Sequence, residues 1–235
     1  MQRTNQYQQP IGEALPDWQP VLSPPRAVIA GHYCRLEPLN AESHAQDLYE
    51  AYASAADERD WTYLSTPRPA DVSACRQWIN DKVSDPSLVP VAIVDSRTAK
   101  AVGMACFMRM DTSNGVLELG HLSWSPRMQR SVLGTEALWL MLKTAFELGY
   151  RRCEWKCDSL NAPSRAAAER LGFRWEGRFR QVMTRHNRNR DTDWLSIIDS
   201  EWPAINLAIH AWLNPQNFSA AGQQIQSLRS LMPAT

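Results

Sequence analysis

Between Leu133 and Leu148 runs a helical pattern that is apolar around most of its circumference, with Glu136, Lys143 and Glu147 forming only a narrow polar stripe. Such a helix has almost no face to give to water and is expected to be buried, most simply against a sheet. Gly149 follows at once, where a helix closing through the left-handed conformation is expected. Just upstream, Val116–Trp124 reads as a strand that Ser125-Pro126 ends. This succession of strand, turn and buried helix already demands a layered α/β domain.

The flanking segments fit that demand. His32–Leu36 reads as a short strand ended by Glu37-Pro38, and Asn40 is placed to cap a helix over Ala41–Ala55. Trp61-Thr62-Tyr63-Leu64 falls in a loop, and a second helix is expected from Ala70 to Val83. Val89–Asp95 and Lys100–Met110 read as strands. Asn114-Gly115 is a strong two-residue hairpin signal that folds Val116–Trp124 back on them. Downstream come a strand (Arg152–Cys157), a short helix (Asn161–Leu171) closed by Gly172, a hairpin (Phe173–Thr184 with Asp191–Ser200) and a closing helix (Pro203–Leu213). The order predicts an α/β fold, a mixed sheet with helices on both faces.

Composition narrows the function classes. The 235 residues suffice for one sizeable α/β domain and are tight for two. Lys+Arg and Asp+Glu both total 25, so the chain lacks the basic footprint of a nucleic-acid binder, and a membrane-surface role is disfavoured. No apolar run approaches the ~20 residues that span a bilayer. Residues 1–30, rich in Gln and Pro, read as an irregular arm without the apolar core of a signal peptide, so a cytoplasmic protein is expected. Within the arm, Trp18 and Val21-Leu22 are the residues suited to docking. Five Cys, an odd number, read as reduced thiols. The divisions expected are an arm (1–30), a domain (31–214) and a carboxy-terminal tail (215–235).

The turn from Arg127 to Gly134 is the first segment with readable chemistry. A strand that turns directly into a helix gathers free backbone N–H groups and the positive end of a helix dipole, an arrangement suited to a pyrophosphate. Further on, Asn161-Ala162-Pro163-Ser164-Arg165 opens a helix ending in Leu171-Gly172-Phe173, and Glu176-Gly177-Arg178-Phe179-Arg180 follows. With Thr135-Glu136-Ala137 and the Asp199–Trp202 stretch, this set resembles the GNAT superfamily and, within it, the RimJ/RimL-like N-acetyltransferases. The resemblance covers Gly31–Leu213.

The resemblance implies an acyl-CoA N-acyltransferase fold with a central, mostly antiparallel sheet. It implies acetyl-CoA as cosubstrate, no metal, and transfer of acetyl to a primary amine of a small molecule or protein N-terminus within a ternary complex. The strand carrying Leu122, Ser123 and Trp124 would splay from its neighbour and pair with the pantetheine arm. Gln129, Arg130, Ser131, Val132, Leu133, Gly134 and Thr135 would hold the pyrophosphate, Asn161 the pantetheine, and Ser164 would lie near the thioester sulfur. Asn161 and Ser164 are equally good as N-cap and first-turn residues.

Two departures stand out. In the family's Q/R-x-x-G-x-G/A loop Gln129 and Gly134 fit, but Val132 stands where the first Gly belongs, and its Cβ limits positive φ and close backbone approach. Binding would persist if the loop keeps helical angles, with Arg130 and Ser131 adding a charge and a hydroxyl. The Tyr that relatives use as general acid is absent and Ala168 takes its place, leaving Ser164 or water to protonate the leaving thiolate.

Strand alternation puts Glu118 on one face with Leu122 and Trp124. This makes Glu118 the first candidate for the base that deprotonates an ammonium of pKa near ~10; the alternative is a solvent-exposed Glu at a hairpin rim. His121 points to the opposite face unless a bulge intervenes, and ranks second. Trp61, Tyr63 and Trp175 are candidate acceptor-pocket aromatics, because the first helix pair and the last hairpin flank that site in relatives.

Cys153, Trp155 and Cys157 alternate along one strand and read as core, since C-x-x-x-C on a strand is poor zinc spacing. The basic run Arg185–Arg190 reads as a solvated hairpin tip. Two other classes stay open: a non-catalytic acyl-CoA-binding module, motivated by Val132 and Ala168, and, ranked last on net charge, an RNA-associated protein using that tip. A homodimer through edge strands or the final helix is also open.

Overall fold

The computed structural model describes residues 3–233. In chain order the elements are β1 (Ile29–Ala30), β2 (Cys34–Pro38), α1 (Ala41–Ala53), α2 (Val72–Ser84), β3 (Leu88–Asp95), β4 (Ala101–Asp111), β5 (Val116–Trp124), α3 (Val132–Glu147), β6 (Arg152–Asp158), α4 (Ala162–Arg170), β7 (Arg174–Arg185), β8 (Arg188–Ile198), α5 (Trp202–Leu213) and α6 (Leu228–Leu231). Eight strands form one sheet in the order β1-β2-β3-β4-β5-β6-β8-β7. Every neighbouring pair is antiparallel except β5 and β6. The expected mixed sheet is therefore present.

Local chemistry sets the element ends. Asn40 accepts from the amides of Glu42 and Ser43, and Asp71 from that of Ala74, so both helices of the first pair start at a capped N-terminus. Gly149 (φ +90°) and Gly172 (φ +94°) turn the chain out of α3 and α4 in the left-handed region.

Helices cover both faces. On one, α3 and α5 bury Phe107, Leu117, Leu119, Trp155 and Ile197 with their own Met141, Leu142 and Ile209. On the other, α1 and α2 bury Ala92, Met104 and Cys106 beneath Tyr52, Trp61 and Trp78. Cys153 and Cys157 lie in the first core as expected, and all five cysteines are free and buried.

Two expectations change. Glu136 belongs to no surface stripe: at 2% exposure its carboxylate accepts from the amides of His32, Tyr33 and Cys34 at 2.7–2.8 Å, clamping the turn between β1 and β2 onto α3. Only Lys143 and Glu147 pair at the surface. The arm is not wholly irregular either. It contributes β1, and Trp18 donates from its indole to the Ser113 carbonyl (2.9 Å) over the hairpin turn, where a Cβ on Gly115 would meet the ring at 2.5 Å. Val21 docks beside it through Thr112, whereas Leu22 stays exposed. Residues 215–233 fold back on α5, with Leu228 buried and Trp212 bonded to Gln224. Among the described residues no helix is long and apolar enough to cross a membrane.

Candidate active site

β5 and β6 are paired only where Val116–Glu118 meets Arg152–Glu154. Beyond Glu118 the strands part, and β6 continues through Asp158 with β8 alone. From Leu119 to Trp124 the edge of β5 facing β6 therefore has no strand partner. An unpaired strand edge inside a sheet is a row of main-chain donors and acceptors open to an extended ligand.

A bulge shapes this wedge. Cys106 pairs with Gly120 and Met104 with Ser123, so His121 and Leu122 together oppose Ala105, and His121 takes φ +50°. The bulge inverts the alternation. Glu118 and Gly120 face the side of α1 and α2, where a Cβ on Gly120 would strike Met108. Leu122 and Trp124 instead pack with the α3 core. The expected common face for Glu118, Leu122 and Trp124 is thus broken, and His121 comes to the Glu118 side. Ser123 is buried, its hydroxyl 3.0 Å from the Tyr52 hydroxyl.

Glu118 is buried, not at an exposed rim. Its Oε2 lies 2.9 Å from Lys156 Nζ and 3.3 Å from Arg109 Nε, with neither contact aligned as a hydrogen bond. His121 Nδ1 lies 3.2 Å from Lys82 Nζ of α2. Burial first, then the charges of Lys82 and Arg185, push the imidazole down to about 4, so it is neutral at pH 7. Lys82 is itself lowered, chiefly by burial.

At the mouth of the wedge stands the start of α3. Ser131 is its N-cap, yet the hydroxyl donates to the Met128 carbonyl (2.7 Å) and leaves the first-turn amides without a side-chain cap. The positive φ of the loop falls at Arg130 (+55°), and Val132 already sits in the helix with its side chain against the core. The loop therefore needs no glycine at 132, although it is not helical throughout. Gln129 reaches back toward the Trp124 carbonyl (3.5 Å), Leu133 packs against the core, and Gly134 has room for a Cβ. Thr135 is buried and bonded to Arg170 of α4. A cavity of about 870 Å³ beside this helix start brings Arg97 and Arg127 next to Ser131.

Across the wedge, Asn161 caps α4 through the Ser164 amide (3.1 Å), and the Ser164 hydroxyl accepts from the Trp155 indole (3.0 Å). Both residues thus have structural partners. Ala168 is fully buried. The three aromatics separate. Trp61 is core, edge-on to Tyr52 and Trp78, and not a pocket wall. Trp175 lies over Arg165 of α4, on the sheet face opposite Glu118. Tyr63 alone borders the wedge, bridging to Leu160. The β7–β8 tip reaches the same loop through Arg185 to the Tyr63 carbonyl and His186 to the Leu64 carbonyl, while His186–Asn189 stay exposed as expected of a solvated turn.

Sequence reasoning missed a charged row on the face of Glu118. Lys156 bridges Glu118 and Glu154, while Arg152 bonds Glu154 and Glu176. The signal was present: Arg152, Glu154 and Lys156 alternate with Cys153, Trp155 and Cys157, and a strand with one apolar face must present the charges on the other.

Residues 34–174 match the family model described as an acetyltransferase (GNAT) domain. No curated protein matches the chain. Among solved structures, a GCN5-related N-acetyltransferase from Brucella melitensis is 43% identical over 92% of this chain and 99% of its own, with a TM-score of 0.90. A GNAT-family protein of Chromobacterium violaceum ATCC 12472 is 39% identical, covering 83% of this chain and 98% of its own (TM-score 0.78). The microcin C7 self-immunity acetyltransferase MccE, solved with acetyl-CoA and AMP, shares the fold at 19% identity, covering 74% and 97% (TM-score 0.63).

Proposed function

The chain belongs to the GNAT acetyltransferase family, and we propose that it transfers acetyl from acetyl-CoA to a primary amine by direct attack in a ternary complex. The observation that carries this is the open β5 edge between Leu119 and Trp124, running toward the uncapped start of α3. The pair fits acetyl-CoA: strand-edge amides and carbonyls for the amides of pantetheine, and first-turn N–H groups for the pyrophosphate. The cosubstrate supplies an acetyl group already activated as a thioester.

What the chain supplies is position, polarity and a proton acceptor. A free amide of β5 polarises the thioester carbonyl, and holding amine and thioester together contributes much of the rate. Glu118 receives the proton of the incoming ammonium, directly or through water. Neutral His121, now on the same side, is the second acceptor within the wedge. Ser164 accepts from Trp155 and shares its own hydroxyl proton with the Cys157 thiol, from which it would turn to the departing sulfur. The amine is that of a small molecule or a protein N-terminus, as in RimJ/RimL-like enzymes, and the reaction is assigned to the cytoplasm.

Thermal unfolding with acetyl-CoA, CoA and ATP, followed by thiol release with an amine panel, tests the reading. A Tm rise with both CoA species but not ATP is expected. Glu118→Gln should lower kcat/KM by about 10²–10³ while keeping the acetyl-CoA response. No Tm response at millimolar acetyl-CoA would sink the proposal. A full response with no thiol release for any amine would favour the binding-module reading that Val132 and Ala168 motivate.

A further inference from the structure

β8 carries Arg190, Thr192 and Trp194 on alternate positions, hence on one face. It is the face of Glu118, because Trp194 stacks under Lys156 (4.4 Å) and Lys156 pairs with Glu118. Arg190 Nε, Thr192 Oγ1 and Trp194 Nε1 are all buried, and none has a hydrogen-bond partner. Arg190 is only 9% exposed and forms no ion pair among the described residues. Its near cation is Arg185, which burial and then Arg190 destabilise in the charged form.

These orphans are expensive. A buried donor without a partner costs about 1–3 kcal/mol, and an unpaired buried charge costs more. The neighbouring charges show the contrast. Glu176, Arg152, Glu154, Lys156, Glu118 and Arg109 form a continuous row in which each charge has an opposite neighbour. Arg190 and Arg185 are left out of that row; Asp158, the register partner of Thr192, accepts from the Leu160 amide, and Arg190 has a hydroxyl and an indole N–H beside it on its own strand. Trp194 can only donate, and so can the guanidinium. Such a set accepts an oxyanion.

We propose that Arg190, Thr192 and Trp194 form an oxyanion site for the acceptor, so that the substrate is an amine that also carries a carboxylate or a phosphate. The assignment of the amine end to Glu118 rests on the transfer reading above. Register gives the spacing. Glu118 aligns through Glu154 with Ser196, and Trp194 and Thr192 lie two and four residues further along β8. Lys156 Nζ lies 2.9 Å from Glu118 Oε2 and 4.4 Å from the Trp194 ring, and Thr192 and Arg190 lie successively farther from Glu118 along the strand.

The cover over this site is the least regular part of the sheet. Phe179 stands edge-on to Trp194 at 3.9 Å and is itself 45% exposed. Between Phe179 and Met183, β7 places Arg180, Gln181 and Val182 against Asp191 alone, with Gln181 at φ +51°. An edge strand with such a bulge can shift without breaking the central sheet. Entry from the Phe179 side then brings an oxyanion onto the three donors.

The test uses the full chain and Arg190→Met. Thermal unfolding is followed with inorganic phosphate, with succinate, and with chloride at matched ionic strength. The proposal expects a saturable Tm rise with phosphate or succinate, weakened at least fivefold in Arg190→Met, whose own Tm equals or exceeds that of the wild type. A phosphate-only or succinate-only response supports the site and identifies the oxyanion. A lower Tm in Arg190→Met with oxyanion binding unchanged, or no response that depends on Arg190, overturns it. In the transfer assay, an amine ending in carboxylate should outperform its amide at least tenfold, and Arg190→Met should bring that ratio toward one. Loss of transfer with every amine would remove the proposed reaction, while the Arg190-dependent binding would still decide the oxyanion site.

Discussion

One face of the sheet carries two unlike halves. Over β3 and β4 it is dry: Tyr52, Trp61 and Trp78 of the α1–α2 layer meet edge to face above Ala92, Met104 and Cys106. Over β6 and β8 no helix among the described residues lies on it, and Arg152, Glu154, Lys156, Trp194 and Ser196 take the surface instead. The boundary is β5, and at that boundary the strand bulges and loses its partner. The helical cover ends where the chemistry begins. A dry half can be held by packing that tolerates no open edge, whereas a half that must admit a ligand has to hold itself by paired charges.

The largest effect should come from the dry half. Trp61→Ala removes a buried ring that also props Tyr52, and Tyr52 holds Ser123 beside the bulge. Urea unfolding should show a loss of about 3–5 kcal/mol, with transfer activity falling as the bulge loosens. A loss under about 1 kcal/mol would return Trp61 to the pocket wall. In the charged half, Lys156→Met removes the bridge between Glu118 and Glu154 and sets two buried carboxylates against each other. The expected cost is about 3 kcal/mol at neutral pH, relieved in part by adding Glu154→Gln. The two lysine and arginine variants then form a pair on one surface. Removing the partnered cation destabilises the fold, and removing Arg190 does not.

Much of this is legible in the sequence alone. Periodicity, the Asn40 cap, the Asn114-Gly115 turn and the glycines at 149 and 172 located nearly every element, because each signal acts within a few residues. The start of α3 followed from the strand–turn–helix pattern, and the parting of β5 from its neighbour was implied by the family resemblance. What escaped was set by long-range pairing. No local pattern announces a bulge at His121, since the extra residue is defined only against Ala105 on β4. Glu136 looked like one charge of a polar stripe, because its three amide partners lie about a hundred residues away. Trp61 and Trp175 have the composition of pocket aromatics, and only the layer packed against each decides between core and wall.

His121 offers the finest test, because it stands on the seam. Lys82 reaches it from the dry half, and Arg185 lies on the charged side. Burial and these cations lower its folded pKa to about 4 from the ordinary value near 6.5. A lowered pKa means the neutral ring is favoured in the native state. The stability it reflects is fully present above pH 6.5 and is lost as the pH falls from there toward 4, where the unfolded chain binds a proton that the fold resists. The ring is partly open to water, so the effect should be about 1–2 kcal/mol. His121→Gln keeps a polar side chain but cannot titrate. The difference in unfolding free energy between pH 7 and pH 4.5 should shrink by that amount in the variant. If wild type and variant lose the same stability over this interval, the seam does not press on His121, and the two halves are electrostatically independent.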